Sequence, residues 1–587
     1  MEQSLDITSL KRAYASGTSP QDILSEVYTR IAARGDDGTW IHLIPETEVR
    51  EKLANLEPDL PLYGIPFAIK DNIDAAGHPT TAACPAYSYI PEENATVVSK
   101  LQAAGAVLIG KTNMDQFATG LVGVRSPHGA VKNAFDTRYI SGGSSAGSAV
   151  AVAAGLVSFA LGTDTAGSGR VPAAFNNLIG LKPTRGMVSA AGVVPACQSL
   201  DCVSIFALTV DDAKVVLEQA AGFDARDPYS RHLQTSPTLS HHFRFGTIPP
   251  DQLQTFGDTS HEARYFAAID TLTSLGGTPL EIDFTPFRET AELLYGGPWV
   301  SERVSALGEF YQQHQDDLHP VLQQILQGAE KYSAKDVFDA MHRLEHLRRQ
   351  TEPVWDSIDL LLTPTTSDIY TLAEVDAEPL ARNSRLGFYT NFVNLLDLSA
   401  LALPAGFGDE GLPCGITLVA PAWHDGLLTA LGKRFQAVNG FALGATKHAL
   451  PNAHPPELAT PSGTIDVAVF GAHLSGQPLN YQLTERGATL VKTCRTAAAY
   501  RFYALPGDLP KPGLLRSDDG AAIETEVWRL PLRHFGSFVG LVPPPLVIGT
   551  VELDDGSTVK GFLCEPWALA DATDITDLGS WRKYVAG

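Results

Sequence analysis

The chain has 587 residues, with 43 lysines and arginines against 66 aspartates and glutamates, which gives a formal net charge of −23. Hydrophobic residues make up 44% and charged residues 19%, a balance that is typical of globular proteins and excludes disordered and fibrous classes. The acidic excess argues against nucleic acids and membranes as partners, because both require a basic surface, and it leaves small substrates and other proteins.

The first part of the chain alternates helical and strand-like segments. Ser19 as N-cap, Pro20 at the first helical position and Gly35 as a stop signal predict a helix between them. Short apolar runs then alternate with alanine-rich stretches, which predicts parallel strands buried between helices in an α/β core. These runs are IPFAIK at 65–70, AVLIG at 106–110, VSFALGT at 157–163 and DLLLTPT at 359–365.

Several features favour a cytoplasmic location. The N-terminal residues carry acids where an export signal has basic side chains. The longest apolar stretch, residues 149–162, is too short to cross a ~30 Å hydrocarbon layer and predicts a buried helix followed by a strand. The scattered cysteines form neither a disulfide framework nor a CxxC zinc motif; they are Cys84, Cys197, Cys202, Cys414, Cys494 and Cys564.

The later part of the chain indicates two domains. Residues 225–350 carry long amphipathic runs and predict a helical insertion. The proline-rich residues 448–463 predict a linker, since they can form neither a helix nor a central strand. Beyond it, apolar and polar residues alternate between turn signals, which predicts a smaller β-rich domain. We therefore divide the chain into domains at 1–447 and 464–587.

Two glycine- and serine-rich segments, SGGSSAGS at 141–148 and GTDTAGSGR at 162–170, indicate a reactive site. Glycines let backbone N–H groups approach a bound atom, and the alanine-rich helix after the first segment would direct its N-terminus at developing negative charge. Both features suit an oxyanion site. A phosphate-binding loop or a tight packing loop remains the alternative, although the Walker pattern is absent.

Lys70 ends the apolar run IPFAIK, and burial there would lower its pKa so that the neutral amine could act as a base. The alternative is an ordinary solvated lysine. A serine hydroxyl is a weak nucleophile near neutral pH, and a desolvated lysine can activate it through a second hydroxyl. None of the histidines lies in these segments, so a Ser-His-Asp triad has no support here.

The segments GIPFAIKD, SGGSSAGS and GTDTAGSGR strongly resemble the amidase signature family. The resemblance implies a mixed, largely parallel sheet between helices and a Ser-Ser-Lys triad of Lys70, Ser144 and Ser168. Ser168 would be the nucleophile and Ser144, preceded by a cis peptide bond, the proton relay. Ser145 is the main rival of Ser144, and Ser148 a remote one.

The resemblance also suggests what surrounds the nucleophile. The oxyanion would lie among the backbone N–H groups of Thr165, Ala166, Gly167 and Ser168. We expect Asp164 and Arg170 to support this loop structurally rather than to take part in the chemistry.

Within this family, the segments at 111–129, which include Gln116, and at 383–407 resemble allophanate hydrolases. In that group a tyrosine and an arginine bind the substrate carboxylate, and LYGGPWVSER offers Tyr295 and Arg303 at the matching interval. A phenol and a guanidinium suit a small anion. Without the resemblance, a packed tyrosine and a surface ion pair would be the more ordinary interpretation.

The C-terminal domain resembles the domain appended to bacterial allophanate hydrolases, with a γ-glutamyl cyclotransferase-like fold. In that group it is associated with decarboxylation of the first product or with assembly, and the sequence leaves both open. His473 matches the candidate base, with Glu524 and Glu526 as carboxylate partners; a histidine satisfied by backbone bonds is the alternative.

The resemblance therefore implies an amidohydrolase that converts allophanate to ammonia and N-carboxycarbamate without cofactor or metal. It also implies a homodimer, with the helical region at 285–350 as interface, and association with urea carboxylase or another nitrogen-pathway enzyme. Two alternatives stay open: another amidase, such as a glutaminase that supplies ammonia for misacylated tRNA, and a non-catalytic assembly protein.

Overall fold

The computed structural model describes residues 3–240, 242–451, 463–507 and 511–586. The chain divides into two compact units, Met1–Glu457 and Leu458–Gly587. Most of the predicted linker at 448–463 lies outside the described residues. Within the described part, no helix is long and apolar enough to cross a membrane.

Unit 1 is built on an 11-stranded sheet with the order β1-β3-β2-β4-β6-β5-β10-β11-β9-β7-β8. The strands are β1 (Trp40–Leu43), β2 (Pro66–Lys70), β3 (Val107–Thr112), β4 (Phe159–Asp164), β5 (Ile179–Lys182), β6 (Cys202–Ala207), β7 (Phe243–Thr247), β8 (Gly277–Glu281), β9 (Leu360–Pro364), β10 (Leu398–Phe407) and β11 (Pro413–Pro421).

Helices of unit 1 pack against this sheet and extend beyond it. They are α1 (Ile7–Ala15), α2 (Pro20–Arg34), α3 (Glu46–Ala54), α4 (Thr96–Ala103), α5 (Ala146–Ala153), α6 (Val171–Phe175), α7 (Val210–Ala220), α8 (Thr259–Ser274), α9 (Thr285–Gly296), α10 (Trp299–Leu307), α11 (Glu309–Gln313), α12 (Pro320–Gln327), α13 (Ala334–Thr351), α14 (Val354–Ser357), α15 (Leu372–Ala377), α16 (Ala381–Leu386), α17 (Asn391–Leu395) and α18 (Asp425–Asn439).

Local signals in the sequence correspond to these boundaries. The Ser19 side chain accepts a hydrogen bond from Gln21 N–H, Pro20 begins α2, and Gly35 follows its end at φ 72°. The apolar stretch at 149–162 forms the end of α5 and most of β4, which confirms a helix followed by a strand. Every residue of β4 is buried, since the strand lies between β2 and β6 in the sheet and α5 packs against it.

Two expectations for unit 1 are corrected. The sheet is mixed, but within the described residues six of its ten neighbouring strand pairs are antiparallel, so it is not largely parallel. An apolar run reports burial on both faces and carries no information on strand direction. The region at 225–350 is also not purely helical, because β7 and β8 join the sheet.

Unit 2 is the β-rich domain that the sequence predicts. It contains a five-stranded sheet in the order β13-β16-β12-β18-β17 and a three-stranded sheet in the order β15-β14-β19. The strands are β12 (Thr464–Val469), β13 (Thr489–Arg495), β14 (Tyr500–Leu505), β15 (Lys511–Arg516), β16 (Glu524–Pro531), β17 (Leu546–Glu552), β18 (Thr558–Cys564) and β19 (Thr573–Asp574); the helices are α19 (Tyr481–Thr484), α20 (Leu532–Val539) and α21 (Trp581–Ala586).

Candidate active site

Lys70 lies at the end of β2, a buried strand that pairs in parallel with β3 and β4. Its Nζ donates hydrogen bonds to Ser144 Oγ and to Thr163 Oγ1, each at 2.7 Å. Burial lowers the pKa of Lys70 to about 7, although nearby Asp115, Asp201 and Asp164 oppose the shift. A neutral amine is therefore available near pH 7, next to a serine hydroxyl.

Ser144 lies before α5 and is fully buried, with a cis peptide bond between Gly143 and Ser144. Its two rivals are engaged elsewhere. The Ser145 hydroxyl donates to Thr163 O at 3.1 Å, and the Ser148 hydroxyl donates to Leu161 O at 2.9 Å. Both hydroxyls thus attach α5 to β4, and the contact with Lys70 singles out Ser144.

The loop that carries Ser168 follows β4 and is held by a buried ion pair. Asp164 accepts hydrogen bonds from Gly167 N–H at 2.8 Å and Gly169 N–H at 3.0 Å. Arg170 donates from Nε and Nη2 to the two oxygens of the same carboxylate, each at 2.9 Å. These contacts give Asp164 and Arg170 the structural role expected of them.

The backbone N–H groups of this loop differ in whether they already have a hydrogen-bond acceptor. The Gly167 N–H group is already bonded to Asp164, so we remove Gly167 from the predicted oxyanion site. No hydrogen bond of the Thr165, Ala166 or Ser168 N–H group is found among the described residues. Three backbone donors therefore remain for a developing oxyanion.

The conformation of the loop explains its glycine. Gly167 has φ +131°, a region that side chains disfavour, and a Cβ there would lie 2.4 Å from Thr390 Oγ1. The same Thr390 hydroxyl donates to Ala166 O at 2.6 Å.

Ser168 is 2% exposed, and its hydroxyl makes no hydrogen bond within the described part of the chain.

Tyr295 lies in the last turn of α9 and Arg303 lies on α10, and the structure brings the two together. The Arg303 guanidinium is 5.4 Å from the centre of the Tyr295 ring. Its Nη1 donates to Thr119 Oγ1 at 2.9 Å, whereas its Nη2 is buried without a hydrogen-bond partner. Because an unpaired buried cationic donor is costly, this nitrogen is suited to an anionic ligand. The Arg303 charge also lowers the pKa of Lys70, which places both residues in one electrostatic environment.

Three residues of the site were not assigned a role from the sequence. Thr163 accepts from Lys70, and Asn72 Nδ2 lies 3.5 Å from the same Thr163 hydroxyl. Asp115 accepts hydrogen bonds from three backbone N–H groups, including that of Gly123 at 3.0 Å. A register argument between the buried runs of β2 and β4 could have revealed Thr163, because β4 pairs directly with the strand of Lys70.

The segment marked by Gln116 has a structural function. The Gln116 amide donates to Ala83 O and Asp317 O, both at 3.3 Å, and its carbonyl accepts from His319 N–H at 2.7 Å. This side chain therefore attaches the helical region after α11 to the loop beside the active site.

In unit 2, His473 is largely buried, and its Nε2 lies 2.9 Å from Gln482 Oε1. Burial lowers its pKa, and the ring stacks on Phe562 with centroids 5.1 Å apart. It lines a mainly apolar cavity of about 240 Å³ that also contains Lys511.

The two acids expected to pair with His473 do not contact it. Glu526 accepts from Ser475 N–H at 2.7 Å and from Arg582 at 2.8 Å, and Glu524 also accepts from Arg582. The prediction of a histidine–carboxylate pair is therefore wrong, because both carboxylates pair with Arg582 instead.

Comparisons with known proteins agree with this geometry. The amidase family matches residues 22–429, and the allophanate hydrolase C-terminal domain matches residues 465–586. The urea amidolyase of Saccharomyces cerevisiae is 45% identical over 93% of this chain, which spans only 31% of that relative's length. One component of the glutamyl-tRNA(Gln) amidotransferase of Symbiobacterium thermophilum is 37% identical over 67% of this chain and 86% of its own.

Among solved structures, the allophanate hydrolase of Kluyveromyces lactis aligns over the full length of both chains, with 41% identity and a TM-score of 0.79. The urea amidolyase of K. lactis aligns with the same identity and TM-score over all of this chain and 37% of its own.

Proposed function

Because the chain belongs to the amidase family, we propose that unit 1 hydrolyses allophanate by Ser-Ser-Lys chemistry. One observation carries the proposal. A buried lysine contacts a serine hydroxyl in the same electrostatic environment as a buried arginine whose Nη2 has no partner. The first contact supplies base catalysis and the second a position for a carboxylate. The C-terminal domain match and the likeness to K. lactis allophanate hydrolase support the choice of substrate.

In the proposed mechanism, Ser168 Oγ attacks the carbonyl carbon of the terminal amide. Its proton passes to Ser144, and the Ser144 proton passes to the neutral amine of Lys70. The N–H groups of Thr165, Ala166 and Ser168 would stabilise the oxyanion. The C–N bond then breaks, and the proton returns through Ser144 to the departing ammonia.

Water completes the reaction. It attacks the acyl-enzyme with the same lysine and serine as base, and the Ser168 hydroxyl is regenerated. The product is N-carboxycarbamate, which loses carbon dioxide to give carbamate and finally ammonia and carbon dioxide. The allophanate would come from the carboxylation of urea or from the breakdown of cyanuric acid by way of biuret.

The first test is ammonia release from allophanate by the purified protein. We expect Ser168→Ala and Ser144→Ala to lose activity by about 10²-fold or more, because one removes the nucleophile and the other the proton relay. Ser148→Ala is the matched control and should retain activity. It deletes a hydroxyl of the same region that attaches α5 to β4 and does not contact Lys70. Malonamate, acetamide, glutamine and biuret are compared as substrates.

A preference for glutamine would support the glutaminase alternative, while Ser168-independent turnover would contradict the mechanism. Absence of any amidase activity would favour the assembly protein.

The second test concerns the carboxylate. Arg303→Ala should lower kcat/KM for allophanate by about 10- to 100-fold, since a hydrogen bond to a charged group contributes about 1.5–3 kcal/mol. The loss should be smaller for biuret, in which a neutral amide replaces the carboxylate. Equal losses on both substrates would show that Arg303 does not recognise the anion.

A further inference from the structure

A second guanidinium is buried beside Arg303. Arg125, in the segment GLVGVRSP, is 1% exposed. Its Nη1 donates to Thr119 O at 3.0 Å and its Nη2 to Pro379 O at 2.9 Å, whereas its Nε is buried without a partner. Among the residues that the structure describes, Arg125 thus donates side-chain hydrogen bonds only to neutral carbonyl groups and keeps an unused donor.

Thr119 connects the two guanidiniums. Its carbonyl accepts from Arg125, and its hydroxyl accepts from Arg303 Nη1 at 2.9 Å. The hydroxyl proton is directed to Phe117 O at 3.2 Å, so a lone pair of the oxygen is left for Arg303. Thr119 therefore holds both guanidiniums in position. Because its hydroxyl binds Nη1 of Arg303, Nη2 is the nitrogen that stays free.

Carboxylates act on this pair of cations without pairing directly with them: Asp201 and Glu302 help to raise the pKa of Arg303, and Asp115 acts to raise that of Arg125. Within the described residues, neither guanidinium forms an ion pair with a carboxylate. Burial lowers the pKa of Arg125, and the Arg303 charge lowers it further, against the effect of Asp115 and Tyr295. The Asp115 carboxylate is itself occupied by backbone N–H groups. Two buried like charges are unfavourable unless an anion lies near both.

We propose that the substrate carboxylate is recognised by a two-guanidinium subsite, in which Arg125 acts with Arg303 and Thr119 is the positioning residue that joins them. The inference rests on the proposed function and extends it. Arg125 would set selectivity for an anion through its charge, and the Thr119 hydroxyl would hold Arg303 so that Nη2 meets a carboxylate oxygen.

Thr119→Val and Thr119→Ser form the matched pair that tests this subsite in the full-length protein. Valine keeps the shape and removes the hydroxyl, whereas serine keeps the hydroxyl. We expect Thr119→Val to lower kcat/KM for allophanate about tenfold, mainly through KM, and to change kcat/KM for biuret by less than about threefold. Thr119→Ser should restore wild-type values.

Arg125→Gln and Arg125→Lys test the charge. The glutamine variant should reduce the preference for allophanate over biuret by about tenfold or more, and lysine should recover part of it because it restores the charge without the planar donors. Thermal unfolding identifies variants that fail to fold, and in that case the Thr119 pair decides.

The outcomes separate this inference from the proposed function. The two-guanidinium subsite alone is overturned if the wild-type protein prefers allophanate but Thr119→Val leaves kcat/KM unchanged for both substrates. It is also overturned if Thr119→Val lowers kcat/KM equally for allophanate and biuret. A wild-type protein without preference for allophanate over biuret overturns the proposed function, and the subsite with it.

Discussion

Lys70 determines how the activity should depend on pH. Its pKa is lowered to about 7, and only the unprotonated amine can accept the serine proton. We therefore expect kcat/KM for allophanate to be maximal above pH 7 and to fall by about tenfold per pH unit well below it. The measurement is a pH–rate profile between about pH 5.5 and 8.5, with substrate ionisation constant in this range.

Arg303 provides a control for this profile, because its charge contributes to the lowered pKa of Lys70. Arg303→Met removes that charge, so the midpoint measured with biuret should move to higher pH. A profile that is flat from about pH 6 to 8 would contradict Lys70 as the base.

The residues of the site differ in how far sequence could identify them. Lys70, Ser144 and Ser168 lie in short segments whose local composition indicates chemistry. Thr163 lies in the segment GTDTAGSGR, but neither it nor Thr119 can be assigned a function from local composition, because their functions depend on residues that the fold brings together from far along the chain. Thr119 and Arg303, for example, are separated by 184 positions. The sequence also could not decide between Ser144 and Ser145 as the contact of Lys70, because that choice depends on the backbone geometry before α5.

At the level of elements, the turn from β4 to α6 depends on the buried Asp164–Arg170 pair. Asp164→Asn removes one charge and leaves the Arg170 guanidinium buried without its partner. We expect the free energy of unfolding to fall by about 3–5 kcal/mol, which urea denaturation would measure. Replacing both residues with apolar ones of similar volume should cost less than Asp164→Asn. A loss below about 1 kcal/mol in Asp164→Asn would show that the pair contributes little.

Elements were predictable where the signal is local. The caps of α2 and the helix followed by a strand at 149–162 depend on neighbouring residues, and both are confirmed. Strand direction and the inclusion of β7 and β8 depend instead on pairing across the sheet. Strand β8 has the burial pattern of a sheet edge, with three of its five residues exposed, so its composition resembles that of a surface segment.

At the level of the whole molecule, the residues proposed for amide hydrolysis all lie in unit 1, while unit 2 has a hydrophobic core of its own. A chain ending at Glu457 should therefore release the first ammonia from allophanate at a rate close to that of the full chain. If unit 2 decarboxylates the product, the second ammonia should appear with a lag in the shortened chain and in His473→Gln. If the full chain, the shortened chain and His473→Gln all release the first and second ammonia together, unit 2 takes no part in decarboxylation.

The close packing around two glycines limits the amidase activities that variants of this protein can acquire by mutation. A Cβ at Gly143 would lie 2.1 Å from Asp115 Oδ2, and a Cβ at Gly167 would lie 2.4 Å from Thr390 Oγ1. Even alanine is too large at either position, so a saturation library selected for activity should return only glycine there. We therefore expect changes in substrate range to come from Tyr295, Arg303 and Arg125, which can be varied while the reacting groups stay in place.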